Sequence, residues 1–227
     1  MNAPAPTDTR SRILDAAERL FTEHGFEGTS MRQITGEANV NLAAANYHFG
    51  SKEALLQAVF KRRLEWLNTE RLRVLDAMEA AAGDQPLKPS QIVDAFFGTV
   101  LRMATRPEHG GETFLRLLGR TLNSPSNMIH TLFAAEYNDV LERFKIALYR
   151  ALPDVPKAEI VWRLHFMLGA TAYAIAGTDA LDLVTDWQVS ESEQEHSVEL
   201  LLPRLMSFLL GGLRAPLPAP HHNSEPQ

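Results

Sequence analysis

The chain has 227 residues, 45% hydrophobic and 22% charged, with a net charge of −6, which suits one or two domains with real cores and argues against wholesale disorder. It contains no cysteine, so disulfides, thiolate nucleophiles and thiolate-bound zinc are excluded together. No apolar run reaches the roughly 18 to 20 residues a bilayer crossing needs, and MNAPAPTDTR lacks the apolar centre of a signal peptide; a cytoplasmic protein without membrane contact is expected.

Residues 1–65 are charge-neutral, so the whole deficit lies in residues 66–227. That permits a DNA-binding N-terminal part attached to an acidic remainder. Helical periodicity runs almost throughout and no stretch alternates as a strand would, which predicts an all-α fold. Residues 1–7 read as a disordered tail. From about Asp8, Ile13, Ala16, Ala17, Leu20 and Phe21 form one apolar stripe, stopped by Gly25. Ser30 and Gln33 fit a capping box opening a second helix, with Met31, Ile34 and Ala38 on one face. Asn39 sits where a tight turn needs a residue tolerant of positive φ. Asn41 then caps a helix over 42–49, with Leu42, Ala45 and Phe49 as its buried face. Two short helices joined by so short a turn have the proportions of a helix-turn-helix.

Gly50 and Ser51 separate that unit from a long helix predicted over 52–82, and Gly83, Pro86 and Pro89 mark the first clear linker. Further helices are expected at about 90–105, 112–123, 126–151, 156–177 and 191–212, the last kinked by Pro203, with a disordered tail over 215–227. The expected domains are therefore a helix-turn-helix unit at 8–54 and a larger helical domain at 55–214.

Lys52 lies in the first turn of a helix, where the macrodipole disfavours a cation, so a phosphate bound there would compensate; a solvated lysine answered by Glu53 is the alternative. On the 42–49 helix, small Ala43 and Ala44 let the backbone approach a groove floor, Asn46 can bond an adenine edge, and Tyr47 and His48 can donate to phosphates. Partial burial against neighbouring helices is the competing reading for Tyr47 and His48.

The run ILDAAERLF, then HGFEGTSMRQI, then NVNLAAANYHFGSKEALL, from Ile13 to Leu56, resembles the N-terminal domain of TetR-family transcriptional repressors. The resemblance implies a recognition helix at 42–49, phosphate contacts from Thr29 and Ser30, and backbone contacts from Tyr47, His48 and Lys52. With Asn41, Ala43, Ala44 and Asn46 these make up the candidate DNA-binding set. Many family members have a Leu-Tyr pair where this chain has Ala45 and Asn46, so Asn46 must act differently. WRLHFMLGATAYAIAG at 162–177, with residues 41–60 and FLRLLG at 114–119, is similar to the branch that responds to long-chain fatty acids or their CoA thioesters, which implies an acyl ligand.

The small residues Gly169, Ala170, Ala172, Ala174, Ala176 and Gly177 permit close helix approach. The resemblance assigns the helices at 156–177 and 191–212 to a homodimer interface; ordinary intrachain core is the alternative. Candidate ligand contacts are Phe97, Leu101, Tyr137, Phe166 and Tyr173, with Arg116 and Arg120, four apart, as receivers of a carboxylate or of phosphates. Solvent-facing arginines are the other reading of that pair, and a satisfied core or interface residue the reading of His165.

The expected function is a ligand-responsive DNA-binding repressor that binds a palindromic operator as a dimer, needs no cofactor or metal, and is released by an apolar ligand such as a long-chain fatty acid or acyl-CoA. A regulator of some other hydrophobic small molecule, an enzyme acting on an acyl ligand and an apolar-ligand carrier are the alternatives. The sequence offers no His-x-x-x-His cluster, Gly-rich phosphate loop or Gly-x-Ser-x-Gly turn, and so no candidate catalytic group.

Overall fold

A computed structural model of the chain describes residues 6–122, 127–176 and 198–217, all discussion of structure being confined to these. Ten α-helices are described: α1 (Pro6–His24), α2 (Met31–Glu37), α3 (Leu42–Phe49), α4 (Lys52–Ala82), α5 (Pro89–Val93), α6 (Thr99–Arg102), α7 (Gly111–Leu122), α8 (Asn127–Ala151), α9 (Lys157–Ala176) and α10 (Val198–Leu213). No strand occurs among the described residues, as the helical periodicity predicts.

The local signals act as expected at most boundaries. Ser30 and Gln33 form a reciprocal capping box at α2, Asn41 Oδ1 accepts from the Ala44 N–H at 2.8 Å, and Ser51 caps α4 through the Ala54 N–H. Asn39 has φ 51°, and Gly50 ends α3 at φ 76°, a conformation a Cβ would strain. Helix α1 starts at Pro6, two residues before the expected Asp8: proline is well placed in a first turn, where no N–H donor is required. The helix expected over 90–105 is broken in type but not in path, since a π-helical turn, Asp94–Gly98, separates α5 from α6 and a 3₁₀ turn, Met103–Thr105, follows. Pro203 lies inside α10 without ending it.

One hydrophobic core runs from Ile13 and Phe21 in α1 through Val59, Phe60 and Leu64 in α4 to Phe114, Phe144 and Leu209. Helices α1 to α3 form the small N-terminal unit, and α4 leads out of it into the larger one. Polar contacts reinforce the join between the two. Thr22 Oγ1 donates to Thr113 O at 3.2 Å, Arg120 donates to Thr22 O at 2.6 Å, and Arg63 donates to Glu108 O at 3.1 Å. Beneath them Glu18 on α1, 3% exposed, accepts from Arg62 at 2.6 Å and from Arg63 at 2.9 Å, both on α4. One buried carboxylate thus answers two guanidiniums, helped by Asp15, 2.7 Å from Arg62.

Candidate nucleic-acid interface and ligand domain

Helix α3 has only eight residues, too short to be stable by propensity alone, so its neighbours must hold it. Ala45 is fully buried and Phe49 half-buried, with the Arg10 guanidinium 5.4 Å from the Phe49 ring centroid. The opposite side is open: Asn41, Ala43, Asn46 and Tyr47 are exposed, Tyr47 to 86%. Ala44 and His48 are half-buried, and the His48 ring meets Tyr47 edge-on at 5.3 Å. Leu42 departs from the expected buried face; it is 37% exposed and shares the open side, because the first turn of α3 projects beyond its packing partners.

The flanking residues correct the expected division of labour. Thr29 is buried, and its hydroxyl is occupied with Leu20 O at 3.0 Å and Gly25 O at 2.8 Å, closing the end of α1 rather than facing a phosphate. Ser30 is exposed, but its Oγ is engaged with Gln33. Lys52 does not stand free over the start of α4. Its Nζ donates to Phe26 O at 2.8 Å and Thr29 O at 3.0 Å and lies 4.2 Å from the Phe26 ring centroid, so it ties α4 to the α1–α2 loop. The helix terminus has its own anion in Glu53, whose carboxyl is held below its ordinary value by the backbone N–H at its own position and then by Ser51.

Sequence reasoning missed Arg12. From α1 its Nη2 donates to Ala38 O and, at 2.8 Å, to Asn39 O, satisfying two carbonyls of the turn that orients α3. The signal was available only in three dimensions, since 26 residues separate the partners. Arg32, exposed in the first turn of α2, is a further cation at this end of the molecule.

In the larger unit Phe97 and Leu101 are core, at 1% and 0% exposure, and Tyr137 is half-buried. Four other expected ligand contacts lie elsewhere. Arg116 and Arg120 are both exposed, and Arg120 is spent on the join to α1, because they occupy the polar side of α7 while Phe114, Leu117 and Leu118 fill its inner side. Phe166 and Tyr173 are 64% and 55% exposed. They form an outward stripe on α9 with Val161 and Trp162, where Trp162 and Phe166 stack at 5.8 Å, and His165 is exposed among them. On α10, Phe208 is 69% exposed, and a Cβ at Gly169, Gly211 or Gly212 would meet nothing within 4 Å. These aromatic side chains thus face outward on two neighbouring helices. The part of the expected last helix before Val198 lies outside the described residues. Among the described residues no helix is long and apolar enough to cross a membrane, and none cluster as metal ligands.

Residues 13–59 match the family pattern described as bacterial regulatory proteins, tetR family, and residues 94–212 match that of the tetracyclin repressor-like C-terminal domain. The HTH-type transcriptional repressor AcnR of Corynebacterium glutamicum is 41% identical over 54 residues, 24% of this chain and 29% of the repressor. UidR, an HTH-type transcriptional regulator of Escherichia coli, is 45% identical over 51 residues, 22% of this chain and 26% of its own. The chain thus spans less than a third of the length of these curated relatives. Among solved structures, the fatty acid degradation regulator FadR from Bacillus halodurans superposes with a TM-score of 0.55 at 15% identity, covering 95% of this chain and 100% of that one. A TetR-family regulator from Bordetella parapertussis gives 0.60 at 17%, covering 92% and 98%. These likenesses show a shared fold.

Proposed function

The chain belongs to the tetR family of bacterial regulatory proteins, DNA-binding regulators rather than enzymes, and from that we propose that it represses transcription as a ligand-released homodimer. The observation that carries this reading is the open side of α3. Its Ala45 side is fixed in the core while the side chains of Ala43, Asn46 and the 86%-exposed Tyr47 face outward. A rigid helix presenting small, amide and phenolic side chains suits a major groove, with Asn46 toward base edges and Tyr47 toward phosphates. Asn41 and Ala44 lie at the helix start beside it, and His48, edge-on to Tyr47, restricts the phenol's orientation. Lys52 serves the interface by holding the α1–α2 loop, with a third ammonium proton left over for a phosphate.

The exposed stripe of Trp162, Phe166 and Tyr173 on α9, with Phe208 on α10, supports a twofold interface with a second copy. Two α3 helices so related would read half-sites roughly 34 to 36 Å apart, or a multiple of this, on unbent DNA. The effector we propose is an acyl compound in the core of the larger unit, the class implied by the 162–177 and 114–119 segments and in keeping with the described role of the Bacillus halodurans fold relative. Binding of ligand and operator oppose one another by the same factor.

The test is titration of labelled DNA from upstream of the protein's own gene, followed by a random-sequence selection, with wild type and Tyr47→Ala. Tyr47→Ala should keep the melting temperature and weaken binding by roughly 1 to 3 kcal/mol, about uniformly across sequences. Failure of wild type to select any sequence, or full affinity in the variant, refutes the assigned role of α3. Phe166→Glu should yield monomers in sedimentation.

A further inference from the structure

Among the described residues, the guanidiniums of Arg71 and Arg163 are buried and those of Arg62 and Arg63 half-buried. Arg62 and Arg63 share Glu18, and Arg163, 6% exposed, pairs with Glu159 at 2.9 Å while also bonding Leu213 O and Ala215 O. Arg71, about two-thirds of the way along α4 and only 3% exposed, has no carboxylate within ion-pair distance among the described residues. It donates from Nε to Phe96 O at 2.9 Å and from Nη1 to Asn68 Oδ1 at 3.2 Å. Asn68 is turned toward it by its own bond to Glu136 O at 2.8 Å. The guanidinium lies 3.8 Å from the Phe96 ring centroid and 5.5 Å from that of Tyr137.

These neighbours soften the burial of a cation without neutralising it. Burial pushes the Arg71 pKa down, opposed only by the Tyr137 phenol. Guanidinium cannot shed its proton to relieve the cost, so a formal positive charge persists in an aromatic surround. The carbonyl it reaches belongs to the π-turn Asp94–Gly98, an irregularity of the kind that recurs at functional sites. Phe97 and Phe144 meet Phe96 edge-on, and Phe133 meets Phe60 edge-on and Tyr137 at a tilt, extending the aromatic cluster. Tyr137 is itself half-buried.

We infer that Arg71 is the receiver for the carboxylate of an amphiphilic monocarboxylate whose apolar body lies among these aromatic rings. This rests on the reading that the larger unit holds an apolar effector, and it narrows that reading. One buried guanidinium balances one negative charge and can grip a carboxylate through two parallel N–H donors. A CoA thioester has no carboxylate at that carbon and brings several phosphates, for which the expected receivers, Arg116 and Arg120, lie on the outer side of α7. The site therefore prefers the free acid over both its thioester and its alcohol.

Calorimetric titration of the full-length, lipid-stripped protein with dodecanoate, dodecanol and dodecanoyl-CoA, repeated with the sixteen-carbon set, tests this. Wild type should bind an acid about ten-fold or more tightly than the alcohol of equal length. Arg71→Gln should erase that preference and Arg71→Lys should retain part of it. The acid–alcohol comparison on wild type needs no variant, so a poorly folding substitution does not blunt the test. Absence of acid binding, equal binding of acid and alcohol, tighter binding of the thioester, or an undiminished preference in a folded Arg71→Gln each overturns the assignment. Operator titrations on the same samples separate the two levels: failure of the acid preference with specific DNA binding intact removes the Arg71 assignment alone, whereas no specific DNA binding by wild type removes the regulator reading.

Discussion

Gly119 on α7 is the point where that helix comes closest to α9. A Cβ built there would lie 2.4 Å from the Ala176 backbone nitrogen and 2.7 Å from its Cα, whereas ordinary contacts fall at 3.4–4 Å. Gly119→Ala therefore requires the end of α9 to recede by about 1 Å, and the obstacle is backbone that no rotamer change can clear. Such overpacking costs about 1 to 3 kcal/mol, offset by up to about 1 kcal/mol from the better helix propensity of alanine. A net destabilisation of roughly 1 to 2 kcal/mol is expected in urea unfolding followed by circular dichroism. Because α9 carries the outward aromatic stripe, sedimentation should also show weakened self-association. Gly36→Ala on α2, where a Cβ meets nothing within 4 Å, is the control and should stabilise by about 0.5 to 1 kcal/mol. A Gly119→Ala protein as stable as Gly36→Ala would refute the close backbone approach.

Glu18→Ala leaves Arg62 and Arg63 partly buried without their shared carboxylate and should cost about 3 to 5 kcal/mol in equilibrium unfolding; a loss under about 1 kcal/mol would show that water replaces the carboxylate. Asn39→Ala, at φ 51°, should lower stability by about 1 kcal/mol and Asn39→Gly should not, as judged from urea midpoints. Arg12→Ala removes two charged hydrogen bonds to turn carbonyls and should cost about 1 to 3 kcal/mol, with faster amide exchange in residues 38–41 as the local readout. Unchanged exchange there would mean the turn holds without it.

Much of the small unit was legible because its instructions are local. Ser30 with Gln33, Asn41, Ser51, Gly50 and Asn39 each act within three or four residues, so α2, α3 and the ends of α4 fall where the sequence puts them. What stayed hidden depends on distant partners. Arg12, Glu18 and Arg71 carry no local signal, because the partners that give them their roles lie 25 to 45 residues away along the chain. The tie made by Lys52 stayed hidden for the same reason, its carbonyl partners lying 23 and 26 residues upstream. In α9, apolar residues occupy several faces, so periodicity alone did not tell core from contact surface. Phe166 and Tyr173 were assigned inward, yet Ile160, Leu164 and Met167 fill that role.

The unbroken run of α4 sets a mechanical scale. Thirty-one residues at about 1.5 Å each make a rod of roughly 46 Å, anchored by buried leucines along most of its length and gripping the α1–α2 loop through Lys52 at one tip. For such a rod, a tilt of about 5° around the far end carries that tip through roughly 4 Å, more than the ~3.4 Å that one DNA strand advances along the helix axis per phosphate. Arg71 lies about 17 Å from that pivot, so the same tilt moves it roughly 1.5 Å, and the length of the rod multiplies a displacement there nearly three-fold at the helix-turn-helix tip.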